Sequence, residues 1–201
     1  KEDMIFTDPP YGINYDTQDY SDPNGKKRSN KKWGKIIGDK IDNLEEFCVS
    51  FLKNIKEFSR DNFSAYICFS HSTQHKLIQA LEELKIYWTL PIVWNKGSII
   101  PTWTRYHAAH EIIMFCGDGA KPTGGKSRWF GGKNETTIWE CKRDLRVTYK
   151  HPTQKPIELA ARAIINSSET SDIVLDLFIG SGSTLIACEN LGRHCRAVEI
   201  S

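Results

Sequence analysis

Near the end of the chain an apolar segment, Ile173-Val174-Leu175-Asp176-Leu177-Phe178, runs straight into Ile179-Gly180-Ser181-Gly182-Ser183-Thr184. An apolar helical stretch from Leu185 to Leu191 follows, and then a second strand, His194-Cys195-Arg196-Ala197-Val198-Glu199. No other part of the sequence restricts the fold as much as this order of strand, glycine-rich turn, helix and strand. It requires a sheet covered by helices, and it leaves backbone N–H groups at a helix N-terminus free to meet a carboxylate or phosphate. Glu199 lies about 20 residues past the glycines, where an acidic side chain at a strand end can hold ribose hydroxyls.

The dinucleotide fingerprint is incomplete, because the third glycine would fall at position 185, which is Leu185. The lysine of a phosphate-binding loop is absent from the turn as well. An adenosine cofactor without a pyrophosphate, such as S-adenosylmethionine (SAM), fits this turn better than NAD or ATP.

Two further segments carry chemistry. Asp8-Pro9-Pro10-Tyr11-Gly12 follows a short apolar run, Met4-Ile5-Phe6-Thr7, which puts it at the C-terminal mouth of a strand, where open α/β sheets bind ligands. The two prolines fix φ twice and donate no N–H, so nearby carbonyls are held at set angles. A tyrosine there can stack on a planar base, while the carboxylate and a backbone carbonyl accept hydrogen bonds from an exocyclic amine. The same residues also suit a plain turn. His151-Pro152-Thr153-Gln154-Lys155-Pro156 precedes a helix from Ile157 to Ile165, with Pro156 as its first residue and Thr153 as N-cap. Beyond capping, Lys155 and the helix N-terminus offer a place for a cofactor carboxylate.

These three segments, in this order, resemble the beta-class DNA amino-methyltransferases of bacteria and their phages. Ile92-Val93-Trp94-Asn95-Lys96 and His110-Glu111-Ile112-Ile113-Met114-Phe115 are weaker matches to later strands of the family, and the resemblance spans nearly the whole chain. It implies a Rossmann-like SAM-dependent methyltransferase fold: a mostly parallel open sheet with one strand antiparallel near an edge and the motif order circularly permuted. Asp8, Pro9, Pro10 and Tyr11 become the catalytic group. Asp8, Lys155, Pro156, Asp176, Phe178, Gly180, Ser181, Gly182, Thr184 and Glu199 become the cofactor site, with no metal. The implied reaction is site-specific methylation of an exocyclic amine on a base flipped out of double-stranded DNA. In this family Asp-Pro-Pro-Tyr accompanies adenine N6 more often and Ser-Pro-Pro-Tyr cytosine N4, so adenine is favoured. The alternatives are cytosine N4 and an inactive SAM- or DNA-binding module. The expected setting is the cytoplasm of bacteria or phage-infected cells, as monomer or homodimer, with a cognate restriction enzyme as a possible companion.

Composition is compatible with this reading. A chain of 201 residues, 39% hydrophobic and 26% charged, makes one domain with a real core. No apolar stretch reaches the roughly 18 residues of a membrane span. The six cysteines lie singly, without a C-x-x-C pair, and read as free thiols of a reducing compartment. His71 and His75 share helical spacing but lack a metalloprotease glutamate. The net charge of +2 says little, whereas its distribution says more. Lys26, Lys27, Arg28, Lys31, Lys32 and Lys35 crowd one loop, and Lys121, Lys126, Arg128 and Lys133 punctuate another. Lys142, Arg143, Arg146 and Lys150 follow. Each run alone is a solvated loop, while three beside the candidate site favour phosphate contact. Trp33, Trp103, Tyr106, Trp129 and Phe130, interleaved with them, are candidates for wedging into DNA or for packing on their own loops.

The expected elements are strands at 4–7, 64–69, 87–94, 110–116, 172–177 and 194–200, and helices at 44–58, 73–84, 157–165 and 183–191. Residues 117–150 read as irregular and as a small recognition region within a single catalytic domain spanning 1–201. The ends fall beside the first and last strands, so the sequence also reads as a fragment lacking terminal elements.

Overall fold

The computed structural model describes residues 1–12, 41–100, 105–121, 128–142 and 154–200. Lys26, Lys27, Arg28, Lys31, Trp33 and Lys35 lie outside these residues, as do Lys32, Trp103, Lys126, Arg143, Arg146, Lys150 and the segment His151 to Thr153.

Side-chain alternation divides the core into two layers. Met4 and Phe6 of strand β1 (Glu2–Thr7) pack to one face of the sheet and Ile5 to the other. In β2 (Ser59–Phe69), Tyr66 and Cys68 join the first layer, and Ala65, Ile67 and Phe69 join the second. A strand buried on both faces must be covered twice, which the helices do in pairs. Helices α1 (Leu44–Phe58) and α2 (Gln74–Glu83) cover the second face through Cys48, Leu52, Ile55, Leu77 and Leu81. Helices α3 (Ile157–Ser167) and α4 (Ser183–Leu191) cover the first through Leu159, Ala163, Ile164 and Ala187.

The remaining strands are β3 (Ile92–Ile100), β4 (Ala108–Cys116), β5 (Ile138–Glu140), β6 (Ile173–Asp176) and β7 (His194–Ala197). They complete a seven-stranded sheet in the order β5-β3-β4-β2-β1-β6-β7. β4 runs antiparallel to both β2 and β3, and the other neighbouring pairs are parallel. The start of β4 and the ends of β1, β3 and β6 therefore meet at one edge of the sheet. This is the mostly parallel sheet with one reversed strand near an edge that the sequence led us to expect.

Several boundaries differ from expectation for identifiable reasons. The strand expected at 87–94 begins only at Ile92, because Pro91 has no N–H for the ladder; Trp88 makes an isolated bridge to Cys116. Pro156 is the N-cap of α3, with extended φ/ψ of −61° and 140°, and Ile157 is the first helical residue. The irregular stretch 117–150 contains a 3-10 turn (Asp118–Ala120) and β5, which pairs with β3 and buries Trp139. β2 starts five residues earlier than expected, and β7 stops at Ala197. All six cysteines are free thiols, and no helix among the described residues is long and apolar enough to cross a membrane.

Leu52 is completely buried between α1 and the sheet. Leu52→Ala is expected to lower the unfolding free energy by about 2–5 kcal/mol, measured by urea denaturation, with the steepness of the transition unchanged.

Candidate active site

The mouth of the sheet is tied together by one buried carboxylate. Asp176, at the end of β6, accepts the Thr7 hydroxyl at 2.9 Å and the Phe178 N–H at 3.1 Å on Oδ1. It accepts the Thr184 hydroxyl at 2.6 Å on Oδ2. The end of β1, the glycine turn and the first turn of α4 are thus all fixed to one side chain. Burial pushes the Asp176 carboxyl up to about 6 in spite of these three donors, and the charge of nearby Asp8 acts in the same direction.

The turn itself is open. Gly180 and Gly182 have φ of +49° and +83°, a conformation that side-chain-bearing residues rarely adopt. A Cβ at Gly182 would meet nothing within 4 Å, so the backbone there faces free space. Ser181 sits half-buried between them, and Leu185, in place of a third glycine, is exposed. Glu199 reaches back to the turn, where its Oε2 accepts the Gly180 N–H at 2.7 Å. The Phe178 ring packs on Phe47 and Phe51 of α1, with centroids 5.8 and 6.0 Å away.

Asp8 follows Thr7 directly, and so the Asp-Pro-Pro-Tyr turn stands beside this cradle. Pro9 is buried and Pro10 partly so. The Tyr11 hydroxyl donates to Asp8 Oδ1 at 2.8 Å and lies 3.4 Å from Glu111 Oε2, and its ring packs against Phe69 with centroids 5.7 Å apart. Burial first, then the charges of Asp8 and Glu111, push the phenol well above its ordinary value, which keeps it protonated as a donor.

Lys155, which the sequence offers as a place for a cofactor carboxylate, has two protein carboxylates around it. Its Nζ donates to Asp8 Oδ2 at 2.6 Å and to the Tyr11 hydroxyl at 3.1 Å, and lies 3.3 Å from Glu111 Oε2. Burial would push its pKa down, yet Asp8 and Glu111 outweigh that and hold the ammonium above its ordinary value. Glu111 in turn accepts from Lys96 Nζ at 2.5 Å on its other oxygen. Burial raises the Glu111 carboxyl, but Lys155 and Lys96 dominate and set it at about 2.

The sequence places Lys96 and Glu111 only as parts of strands. The signal was weak, since Lys96 stands between Asn95 and Gly97 and Glu111 follows His110, so neither interrupts an unbroken apolar run. What the fold adds is that the buried Lys96 ammonium must be paired. Their registry explains the pairing. Trp94 stands opposite Glu111 across β3 and β4, and Lys96, two residues on, shares the Trp94 face, with its ammonium 5.2 Å from that ring's centroid.

The basic and aromatic candidates separate. Lys121 pairs with Asp118, and Arg128 with Asp3 and Asp172, so Arg128 anchors the loop to the sheet. Trp129 packs on Phe115, and Phe130 lies under Arg128. Tyr106 is 91% exposed beside the start of β4, and Lys133 and Lys142 are exposed.

A reversed strand within a parallel sheet, an open glycine turn and an acid-Pro-Pro-Tyr turn at its mouth together make up a Rossmann-like methyltransferase fold. The solved structure of a M1.HpyAVI–SAM complex matches all of this chain and 84% of its own, with TM-score 0.64 and 26% identity. PvuII DNA methyltransferase, described as cytosine-N4-specific, shares the fold with TM-score 0.71 at 15% identity, over the whole of this chain and 75% of that one. Type II methyltransferase M.HinfI of Haemophilus influenzae is 27% identical over 98% of this chain, which spans 59% of that relative's length. Type II methyltransferase M2.DpnII of Streptococcus pneumoniae is 29% identical over 96% of the chain and 75% of its own length. The family model for DNA methylase matches residues 3–201, and the chain belongs to that family, the N6/N4 methyltransferases.

A test of the Asp176 environment follows from its raised pKa. The folded state holds the proton more tightly than the unfolded chain, whose Asp titrates near 3.8, so Asp176 costs stability as pH rises from about 4 to about 6. Asp176→Asn removes this titration. Relative to wild type, its Tm should rise between pH 4 and pH 8, by the equivalent of at most about 3 kcal/mol, as read by calorimetry. A Tm difference that is flat across this range would show that Asp176 is not held in this state.

Proposed function

We propose that this chain is the catalytic domain of a site-specific DNA methyltransferase that uses SAM and acts on the exocyclic amine of a flipped base, adenine N6. The observation that carries the proposal is the Thr7–Asp176 bond at 2.9 Å, because it places the amine-gripping turn at Asp8 directly beside the open glycine cradle. Two sites that must cooperate are adjacent although they stand at opposite ends of the sequence.

The cradle fits the cofactor. Open space over Gly182 and the lack of a phosphate-binding lysine suit an adenosine group without a pyrophosphate. Glu199, already at the turn, is positioned for ribose hydroxyls, while Asp176 and Thr184 keep the turn rigid. Phe178, Gly180, Ser181 and Gly182 line the adenosine side, and Pro156 with the start of α3 borders the amino-acid end. Bound there, SAM supplies a methyl group already activated by its sulfonium.

The chain's own residues do the rest by positioning. An exocyclic amine is a poor nucleophile because its lone pair is delocalised into the ring. Hydrogen bonds from the amine to Asp8 and to the Pro9 carbonyl draw the nitrogen toward a tetrahedral shape and localise that pair. The same fixed acceptors stabilise the positive charge that develops on nitrogen. No strong base is needed, since the product ammonium loses its proton readily. The base must leave the duplex to reach this mouth, with Tyr11 as its stacking partner. Asp8 rather than Ser at the head of the turn favours adenine N6 over cytosine N4. Residues 117–150 are assigned to target recognition within a single domain, and Tyr106, 91% exposed beside the start of β4, is one aromatic among the described residues that is open to DNA.

Asp8→Ala is the discriminating variant. We expect methyl transfer to fall by at least about 10²-fold while SAM affinity, measured by calorimetry, stays within about threefold. Parallel loss of both would assign Asp8 to cofactor binding instead.

A further inference from the structure

A buried ammonium, Lys155 Nζ, stands where the target amine must go. Asp8 accepts from Tyr11 on one oxygen and from Lys155 on the other, so both of its oxygens already have donors. Lys155 Nζ also lies 5.5 Å from the centroid of the Tyr11 ring, the surface assigned to the incoming base. An N–H donor beside Asp8 and above Tyr11 is what the target amine would be.

We propose that Lys155 is a built-in stand-in for the target amine, and that Glu111, anchored by Lys96, is the positioning residue that takes Lys155 over when the base enters. The inference rests on the methyltransferase reading. Three observations carry it. Glu111 Oε2 is 3.3 Å from Lys155 Nζ while Asp8 Oδ2 is 2.6 Å away, so a small rotation of the lysine moves its bond from one carboxylate to the other. Lys96 fixes Glu111 through the other oxygen at 2.5 Å, which keeps the receiving carboxylate in place. The cluster also balances, with two buried ammonium groups against two partly buried carboxylates, and that balance is what allows the two lysines to be so deeply placed.

The charge on Lys155 makes the transfer necessary. As the amine is methylated its nitrogen gains positive charge, and an ammonium sharing Asp8 would oppose this at contact distance. Once Lys155 has moved to Glu111, Asp8 is free to accept from the amine and the neighbouring positive charge is matched elsewhere. Without a base in the mouth, the ammonium keeps Asp8 paired and oriented, and no buried carboxylate is left bare.

Glu111→Gln tests this, because the amide keeps the shape and an acceptor but removes the charge that attracts Lys155. Lys155 then stays on Asp8. We expect kcat for methylation of unmethylated bacterial DNA to fall by roughly 10²-fold, with SAM affinity by calorimetry unchanged. The double variant Glu111→Gln/Lys155→Met removes the stand-in and should recover at least about tenfold of that loss, since the amine no longer competes for Asp8. A double variant as slow as Glu111→Gln, or slower, with SAM binding intact, would overturn the inference and leave Glu111 a structural ion-pair partner. Loss of SAM binding in Glu111→Gln would also overturn it, by placing Glu111 in the cofactor site. If wild-type protein transfers no methyl group to DNA while binding SAM, the methyltransferase reading fails, and this inference fails with it.

Discussion

Most of the site's geometry depends on how Asp176 is held. A carboxylate this buried is tolerated because three donors surround it, and those donors come from three different elements: Thr7 at the end of β1, the Phe178 backbone in the turn and Thr184 in α4. Each bond is modest alone. Together they make the position of Asp8 a consequence of the position of the glycine turn, because Thr7 immediately precedes Asp8. Loosening Asp176 would therefore disturb the Asp-Pro-Pro-Tyr turn and the glycine turn together. That cooperation also explains why a carboxyl whose pKa is raised to about 6 is kept at the centre of the mouth.

A second constraint closes the mouth from the other side. Asp8, Tyr11, Lys96, Glu111 and Lys155 come from the turn after β1, from β3, from β4 and from the approach to α3, and their side chains form one charge-balanced cluster. The sheet order makes this possible. Because β4 alone is reversed, Glu111 near its start lies at the edge where β1 and β3 end. A parallel β4 would carry Glu111 to the opposite edge and leave both lysines without it.

How far the sequence revealed this depends on what kind of signal each residue carries. The strand–turn–helix around Gly180 and Gly182 was legible because glycine spacing and the switch from strand to helical periodicity are local. Helices α1 and α4 had the bounds expected, for the same reason. β5 was not legible. It is three residues long, too short to show alternation, and it exists because Trp139 fills the core beneath β3 and donates its indole N–H to the Thr136 carbonyl. Pro91 delayed β3 by removing a ladder donor, a local rule that the apolar run around it obscured. Lys96 and Glu111 sit beside polar neighbours in their strands, so nothing in the sequence singles them out, and their mutual placement depends on the antiparallel registry of β3 with β4. Lys155 was recognised by its motif, and only the folded chain shows that its ammonium points to Asp8.

The most direct test of the account is to incubate the protein with methyl-labelled SAM and unmethylated bacterial DNA, digest the DNA to nucleosides and identify the labelled product by mass spectrometry. The account predicts label in N6-methyladenine, at a level that Asp8→Ala abolishes. Label in N4-methylcytosine would contradict the assignment of the base. No label in DNA from a protein that binds SAM would contradict the proposed function itself.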